Sequence, residues 1–585
     1  MNKLRTYVLF LSLCMASFLC FAQNRDTFNH TVQRGETVFA IATMYNVSTS
    51  DILRLNPDSK NVIKTGSVLL IPRKKRAVGS YTFHTIKQGE TLFAVSKLYN
   101  ISGDAIVKAN PGLSISSFQV DKTIRIPISK QENIETAVTQ NTLTFDEYKV
   151  KRKETMYSLC KKFNISSSEL MKHNPLLKKG VKKGMLLRIP IIKKEMVKQT
   201  APLPTEQDVN ALLTSMPKSN RVPNIKAVLL LPFNAENAVR STETDRFVEY
   251  YEGLLLAIDS LQKQGCVIEL SVFDLGKGTQ KLQTILKSNT LKTANLIIGA
   301  VLGEQIKPIA AFAQENNIKY VIPFTSKNNE VLSNASVFQV NTPQSYLYDK
   351  AIQFFCKLHK DNNIILVDTK DENPKTAFIS MLKNEMRDQQ IPFRELTYDA
   401  ETFLEEMNSL FTVDKKNVVL PLSGSLEALN KIKSPLRALT ELVTEKRPIP
   451  YSVSLFGYPE WQSYMRECLE DFYSLDTYIY SNFYALSLSP ELQSFYSKYR
   501  YWFSKVPMNT YPKYAILGFD TGMFFLGAIY KDGTNFEQKL DKNYYPGLQS
   551  GFHFTRVNNW GGYINTNIFS VHFNRDFTIT RNIAE

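Results

Sequence analysis

The chain has 585 residues, 43% of them hydrophobic and 22% charged, with a formal net charge of +16. That length exceeds what one hydrophobic core can organise, so several domains are expected, and the balanced composition excludes a fibrous or wholly disordered chain. The charge is lopsided: residues 24–224 carry 32 Lys and Arg against 16 Asp and Glu, whereas 225–585 carry 37 against 39.

Lys3 and Arg5 precede an apolar run over 7–21 that ends in Cys20-Phe21-Ala22. A positive start, a short apolar run and a small final residue predict a cleaved secretory signal over 1–22 rather than a membrane span. Bulky Leu19 before Cys20 makes lipid anchoring the weaker alternative. No later stretch is apolar for long enough to span a bilayer. Export argues against nucleic acid as the partner of the basic end and leaves anionic lipid, or a wall bearing carboxylates, with a merely solubilising surface as the alternative. Removing the leader takes Cys14 and Cys20. Cys160, Cys266, Cys356 and Cys468 are too few and too scattered for a disulfide framework, so buried free thiols are expected, with a bridge among the last three as the alternative.

Three segments then repeat. His30-Thr31-Val32-Gln33-Arg34-Gly35-Glu36-Thr37-Val38-Phe39 aligns with His84-Thr85-Ile86-Lys87-Gln88-Gly89-Glu90-Thr91-Leu92-Phe93 and with Lys149-Val150-Lys151-Arg152-Lys153-Glu154-Thr155-Met156-Tyr157. An Asn-Pro pair follows, its Asn 21 residues after the turn position, at Asn56-Pro57, Asn110-Pro111 and Asn174-Pro175. Each repeat closes on Ile-Pro, at Ile71, Ile126 and Ile189. The local physics predicts a βααβ unit. A strand over 31–33 meets Gly35, which can take a positive φ. Thr37 caps a helix whose Ala40, Ile41 and Tyr45 form an apolar face, and Ser48 with Asp51 starts a second helix. Asn56-Pro57 ends it, and 69–71 supplies the second strand.

These residues resemble the LysM domain over 28–73, 82–128 and 147–191. The resemblance implies a shallow groove for N-acetylglucosamine-containing glycan, peptidoglycan or chitin. Its contacts would come from Gly35, Glu36, Thr37, Val38, Pro57 and Ile71, and from Gly89, Glu90, Thr91, Leu92, Pro111 and Ile126. In the third repeat they would come from Glu154, Thr155, Met156, Pro175 and Ile189. There Lys153 replaces the turn glycine, so either its backbone is strained or the turn differs. Three weak grooves on short tethers would gain avidity. Basic runs such as Arg73-Lys74-Lys75-Arg76 could add attraction to wall carboxylates; solvated surface is the alternative.

Residues 192–224 hold four prolines amid polar residues and read as a linker. From 225 onward, apolar strands alternate with helical patterns: strands at 227–231, 267–273, 294–299 and 320–323, helices at 247–262, 282–291 and 306–314. The alternation restarts at 364, predicting two doubly wound parallel sheets. The expected fold class is therefore multidomain α+β and α/β: three small βααβ modules, then a bilobed α/β domain over 225–585. Tyr251-Glu252-Gly253, Ile297-Ile298-Gly299-Ala300, Ile322-Pro323-Phe324-Thr325-Ser326 and the stretch from Tyr514 to Asp520 resemble the type I periplasmic-binding-protein fold of the branched-chain amino-acid-binding group. That resemblance implies a cleft ligand near Thr325 and Ser326, although both could be ordinary loop caps, and Glu304 would repel a carboxylate at the companion loop.

No HExxH-like spacing joins the six His, His30 and His84 are expected at exposed positions, and no Gly-x-Ser-x-Gly elbow occurs. No catalytic residue, metal or cofactor is therefore expected. The favoured reading is an exported, non-catalytic envelope protein anchored to peptidoglycan, whose bilobed domain senses a small ligand or engages a wall-synthesis protein. A wall-tethered amino-acid or peptide receptor and a peptidoglycan hydrolase or its cofactor are the alternatives.

Overall fold

The computed structural model describes residues 27–59, 63–73, 81–128, 137–198, 204–214, 222–236, 241–372, 374–441, 443, 450–542 and 545–584. The expected signal over 1–22, with its Cys14 and Cys20, and Lys74, Lys75 and Arg76 of the first basic run lie outside them. The chain divides into two compact units. One joins the described residues up to Pro127 to those from Asn210 onward; the other spans Ile128–Val209.

Each repeat is a two-stranded antiparallel ladder flanking two short helices. In the first, Thr27–Thr31 pairs with Val68–Pro72, and helices Val38–Tyr45 and Thr49–Leu55 lie between. The leading strand ends where 31–33 was expected to form it, because regular pairing stops at Thr31 opposite Val68. Val32 instead bonds Ser67 and Gly66 as the chain turns. Ile41, Ile52, Leu69 and Ile71 close a small core. The second repeat pairs Tyr81–Thr85 with Thr123–Pro127, and the third pairs Ala137–Lys149 with Leu186–Lys198. The expected linker over 192–224 is thus partly ordered: the last strand runs to Lys198 and a helix spans Glu206–Ala211. Residues 199–203 and 215–221 of it lie outside the described residues.

The region from 225 onward forms two seven-stranded sheets. The first lobe is ordered Phe554–Arg556, Tyr563–Asn565, Val337–Gln339, Lys319–Ile322, Leu296–Gly299, Ile225–Leu231, Ile268–Asp274. All of its pairs are parallel except the terminal hairpin between Phe554–Arg556 and Tyr563–Asn565. The second is ordered Phe393–Thr397, Asn363–Asp368, Asn417–Pro421, Val453–Gly457, Thr477–Ser481, Phe569–Phe573, Ile579–Ile583, with the last two strands antiparallel. Strands such as Leu296–Gly299, Lys319–Ile322 and Asn417–Pro421 are buried throughout, as sheets covered on both faces require. The helix expected over 282–291 is two, Gln280–Leu286 and Asn289–Lys292. The break comes at Ser288, whose hydroxyl accepts the Leu291 amide and starts a new helix. After the second lobe the chain returns to the first through helix Tyr514–Asp532, which crosses helix Thr242–Gln262 closely. A Cβ on Gly253 would fall 1.8 Å from the Ala515 carbonyl oxygen, and one on Gly518 would fall 1.9 Å from that of Tyr250.

The first two repeats pack against this body. Arg34 pairs with Asp349 at 3.2 Å and donates to Gln353 at 2.9 Å, while Ala40 joins the first-lobe cluster that holds Val331 and Leu332. Between the repeats, Phe28 stacks on Phe83 at 5.7 Å and the Thr85 hydroxyl donates to the Asn29 carbonyl at 2.6 Å. Trp560, on the terminal hairpin of the first lobe, packs beside Tyr45 and Phe83. Arg125 lies 4.9 Å over its ring, and burial pushes that guanidinium down to about 10. Gly112 donates its amide to the Asn559 carbonyl at 2.8 Å.

Candidate functional site

The turn that opens each repeat has the same geometry three times. Gly35 has φ +77°, Gly89 +78° and Lys153 +71°. The third turn therefore keeps its shape, and the lysine takes the strain that glycine avoids. Lys153→Gly should stabilise the third repeat by about 1 kcal/mol, read as slower amide exchange across 150–190 in the full chain.

The glutamate after each turn closes it. Glu36 accepts the Gln33 amide at 2.7 Å, Glu90 that of Lys87 at 2.9 Å and Glu154 that of Lys151 at 2.7 Å. His30 and His84, expected to be exposed, are each 5% exposed. Each ring lies between the glutamate, at 2.7 Å in both repeats, and a tyrosine hydroxyl, Tyr45 at 2.7 Å or Tyr99 at 3.1 Å. Burial alone would raise the Glu90 carboxyl, but the Lys87 amide and the His84 ring hold it below its ordinary value. In the third repeat a tyrosine serves instead, the Tyr148 hydroxyl donating to Glu154 at 2.9 Å. Thr37, Thr91 and Thr155 each cap their helix by accepting the amide three residues on. Glutamate and threonine thus have structural duties that leave backbone and edges to meet a ligand.

Opposite the turn, the Asn of each Asn-Pro pair does more than end a helix. Asn110 donates to the Ile106 and Arg125 carbonyls, both at 2.7 Å, and accepts the Arg125 amide at 2.8 Å, tying helix to second strand. Asn56 and Asn174 make the same three bonds. With Asn110 fully buried, Asn110→Ala strands those partners and should cost the second repeat about 2 kcal/mol in chemical denaturation. Sequence reasoning read this Asn only as a helix stop; its recurrence at a fixed offset was the signal.

The expected groove residues separate into two groups. Ile71, Ile126, Leu92 and Ile189 point into the repeat cores, at 0, 0, 0 and 3% exposed, so any glycan contact there comes from main chain. Pro57, Pro111 and Pro175 are all exposed, while Val38 and Met156 are half-buried. The turns differ sharply. Gly89 and Lys153 are exposed, whereas Gly35 is buried: a Cβ on it would lie 2.5 Å from the Cα of Tyr346, at the start of helix Ser345–His359. In the first repeat, the wall of the expected groove is already an interface.

In the bilobed domain, Thr325 and Ser326 follow strand Lys319–Ile322 at its carboxyl end and are half-buried. The Thr325 hydroxyl accepts the Lys327 amide at 3.0 Å, the ordinary loop-capping role. Glu304 is exposed in the first turn of its helix. At the strand ends of the second lobe, Lys375 and Glu460 form an ion pair beneath the Tyr458 ring, and Glu460 Oε2 is buried with no hydrogen-bond partner among the described residues. Sequence reasoning missed this pair, whose members lie 85 residues apart. Cys266, Cys356 and Cys468 are buried free thiols and Cys160 a half-buried one. Among the described residues, no group of three His, Cys, Asp or Glu could hold a metal ion, and no helix is long and apolar enough to cross a membrane.

The LysM domain family matches residues 30–72, 84–127 and 148–190. The chain is 31% identical over 120 residues to a secreted LysM effector of Colletotrichum higginsianum, covering 18% of this chain and 68% of that protein. It is 29% identical over 120 residues to a probable autolysin of Staphylococcus aureus and 22% over 164 residues to an N-acetylmuramoyl-L-alanine amidase of Staphylococcus epidermidis, spanning 45% and 50% of their lengths. Similar solved structures include an ABC transporter substrate-binding protein from Desulfitobacterium hafniense, with TM-score 0.38 and 14% identity over 61% of this chain and 100% of that one. A branched-chain amino-acid transporter substrate-binding protein from Streptococcus pneumoniae gives TM-score 0.34 and 14% identity over 62% and 99%. With the turn, the capping threonine and the Asn clip recurring in all three matched segments, the chain belongs to the LysM family through the repeats of its N-terminal third.

Proposed function

We propose that this is an exported, wall-associated and non-catalytic protein that holds N-acetylglucosamine-containing glycan, peptidoglycan foremost, through its second and third repeats. The first repeat chiefly fastens the array to the bilobed domain. The observation that carries this reading is the contrast between exposed turns at Gly89 and Lys153 and the buried one at Gly35. An exposed turn, with the exposed proline that the LysM resemblance sets across the groove from it, suits an acetamido sugar. The basic surplus of residues 24–224 adds attraction to wall carboxylates. Co-sedimentation of the full chain with purified sacculi is expected, without release of soluble fragments. A chain that stays in the supernatant would refute the anchoring, and released fragments would make it a hydrolase.

The bilobed domain serves as the effector half, engaging a small ligand or a wall-synthesis protein. The half-buried Glu460 carboxylate, paired with Lys375 through one oxygen and with its enclosed Oε2 unbonded among the described residues, favours a second reading, a wall-tethered amino-acid or peptide receptor. In that case amino acids or short peptides raise the melting temperature of the chain in proportion to their occupancy, and an unmoved transition across the panel leaves the protein partner.

A further inference from the structure

Helix Pro490–Phe503 lies against the first lobe. Leu492, Phe495 and Tyr499 recur about one turn apart and pack with Leu256, and the Tyr499 hydroxyl donates to Glu252. Ser504 ends the helix in the left-handed region, at φ 53°. The last turn leaves large side chains outside. Tyr501 is 80% exposed and Trp502 58%, their rings 5.5 Å apart at 87°, and Val506, just past the helix, is 61% exposed. The other two tryptophans, Trp461 and Trp560, are buried at 0 and 2%. Clustered exposed apolar surface marks a place of contact, unlike a single exposed residue.

The charge around these rings is one-sided. Residues 492–513 hold Lys498, Arg500, Lys505 and Lys513 and no Asp or Glu, although 225–585 as a whole carries 37 basic residues against 39 acidic ones. Lys505 is paired with Glu252 at 2.9 Å. Lys498 and Arg500 are exposed and make no ion pair among the described residues. Helical spacing sets Lys498 one turn before both rings, and Arg500 directly precedes them. A matching partner is therefore anionic and admits aromatic and aliphatic side chains. An anionic bilayer surface does both: Trp and Tyr settle at headgroup depth, while Lys and Arg meet the lipid phosphates. Two rings at 87° share no plane on which a sugar face could lie, and lysine is depleted where protein meets protein.

We propose that the outer face of this helix end, formed by Lys498, Arg500, Tyr501, Trp502 and Val506, is a docking surface for an anionic lipid bilayer. The inference goes beyond glycan anchoring and does not rest on it. A patch this small holds weakly by itself and serves to orient the first lobe against the membrane. The full chain is mixed with vesicles of phosphatidylcholine and phosphatidylglycerol in equal parts, their acyl chains brominated, because bromine quenches an indole that reaches the bilayer. Tryptophan emission is expected to fall saturably with added lipid, and Trp502→Phe should abolish that fall. Lys498→Gln combined with Arg500→Gln should raise the lipid concentration for half-maximal quenching about tenfold. The basic surplus of residues 24–224 can hold the chain to such vesicles by charge alone, so co-sedimentation without quenching would overturn the proposal. So would quenching that is equally strong with phosphatidylcholine alone, or that the paired Gln variant leaves unchanged. Emission of Trp502 altered by chito-oligosaccharide and not by lipid would make the rings a sugar contact instead. Sacculus binding is scored separately without lipid, so a failure of anchoring stays distinct from this result.

Discussion

Pro111→Glu combined with Pro175→Glu is expected to release the full chain from sacculi, raising the concentration for half-maximal binding about 100-fold. Pro57→Glu alone should shift it less than about threefold, far short of that loss of avidity. The three prolines occupy the same place in their repeats, directly after the clipping Asn, and all are exposed. On the proposed reading, a glutamate there would intrude on the far wall of the groove and set a negative charge against the carboxylates of the wall. Each substitution also loses the stiffness of proline, which costs about 0.4–1 kcal/mol and leaves the ladders intact. The asymmetry comes from the near wall. Gly89 and Lys153 present their turns to solvent, while Gly35 is packed on Tyr346 and its neighbour Arg34 is held by Asp349. If the second and third repeats carry the proposed grooves, losing both would remove the gain from tethering, and altering the closed first one would remove little. Equal release by Pro57→Glu would mean that the first repeat undocks to bind glycan, and the division of labour would fall.

The repeats were legible because their physics is local. A positive-φ turn, a capping threonine and an Asn-Pro stop are each written within a few residues, and threefold recurrence separates them from coincidence. Alternating apolar strands and helices likewise exposed the two lobes, and even the close crossing at Gly253 and Gly518 lay within stretches that carried the resemblance. What could not be read was pairing across distance. Nothing around Gly35 announces Tyr346, 311 residues later, and nothing in Asn558-Asn559-Trp560 announces the second repeat. The buried histidines show the same limit at shorter range. His30 and His84 lie at the end of a strand in a polar stretch, and only the fold brings Glu36 or Glu90 to one ring nitrogen and a tyrosine to the other. Isoleucine at the Ile-Pro closure was assigned to the groove because main chain and side chain are indistinguishable in sequence; the structure turns its side chain into the core.

His359→Phe should change the acid response of the second lobe, because this histidine is held neutral inside it. Its ring is 1% exposed, with Phe355, Phe456 and Tyr478 around it at 5.0, 6.2 and 5.9 Å. Nδ1 lies 3.0 Å from the Asn362 amide nitrogen, and Nε2 has no partner among the described residues. Burial, reinforced by nearby Lys416, pushes the ring down to about 3 from an ordinary 6.5, with Asp476 opposing weakly. The unfolded chain then takes up a proton that the folded one refuses. Stability from this site is complete above about pH 6.5 and falls by about 1.4 kcal/mol for each unit below it, until the folded ring itself titrates near 3. A buried carboxyl works the other way. Asp520 accepts three backbone amides, from Leu548, Gln549 and Ser550, yet burial outweighs them and raises it to about 6. Its folded form holds a proton between 3.8 and 6, so its contribution falls as pH rises through that window. Asp476 acts lower still. Burial would raise it, but His572 and Lys416, each at 2.7 Å, hold it near 2, so what it contributes is lost only as pH falls below 3.8. Between pH 6.5 and 4 the natural chain therefore sums two opposed slopes, and the difference between it and His359→Phe isolates one. Urea melts should place that difference about 3 kcal/mol further in favour of the phenylalanine at pH 4.5 than at pH 7. A difference that stays constant with pH would show that the folded ring takes up its proton as readily as the unfolded one, and that the lobe does not hold it neutral.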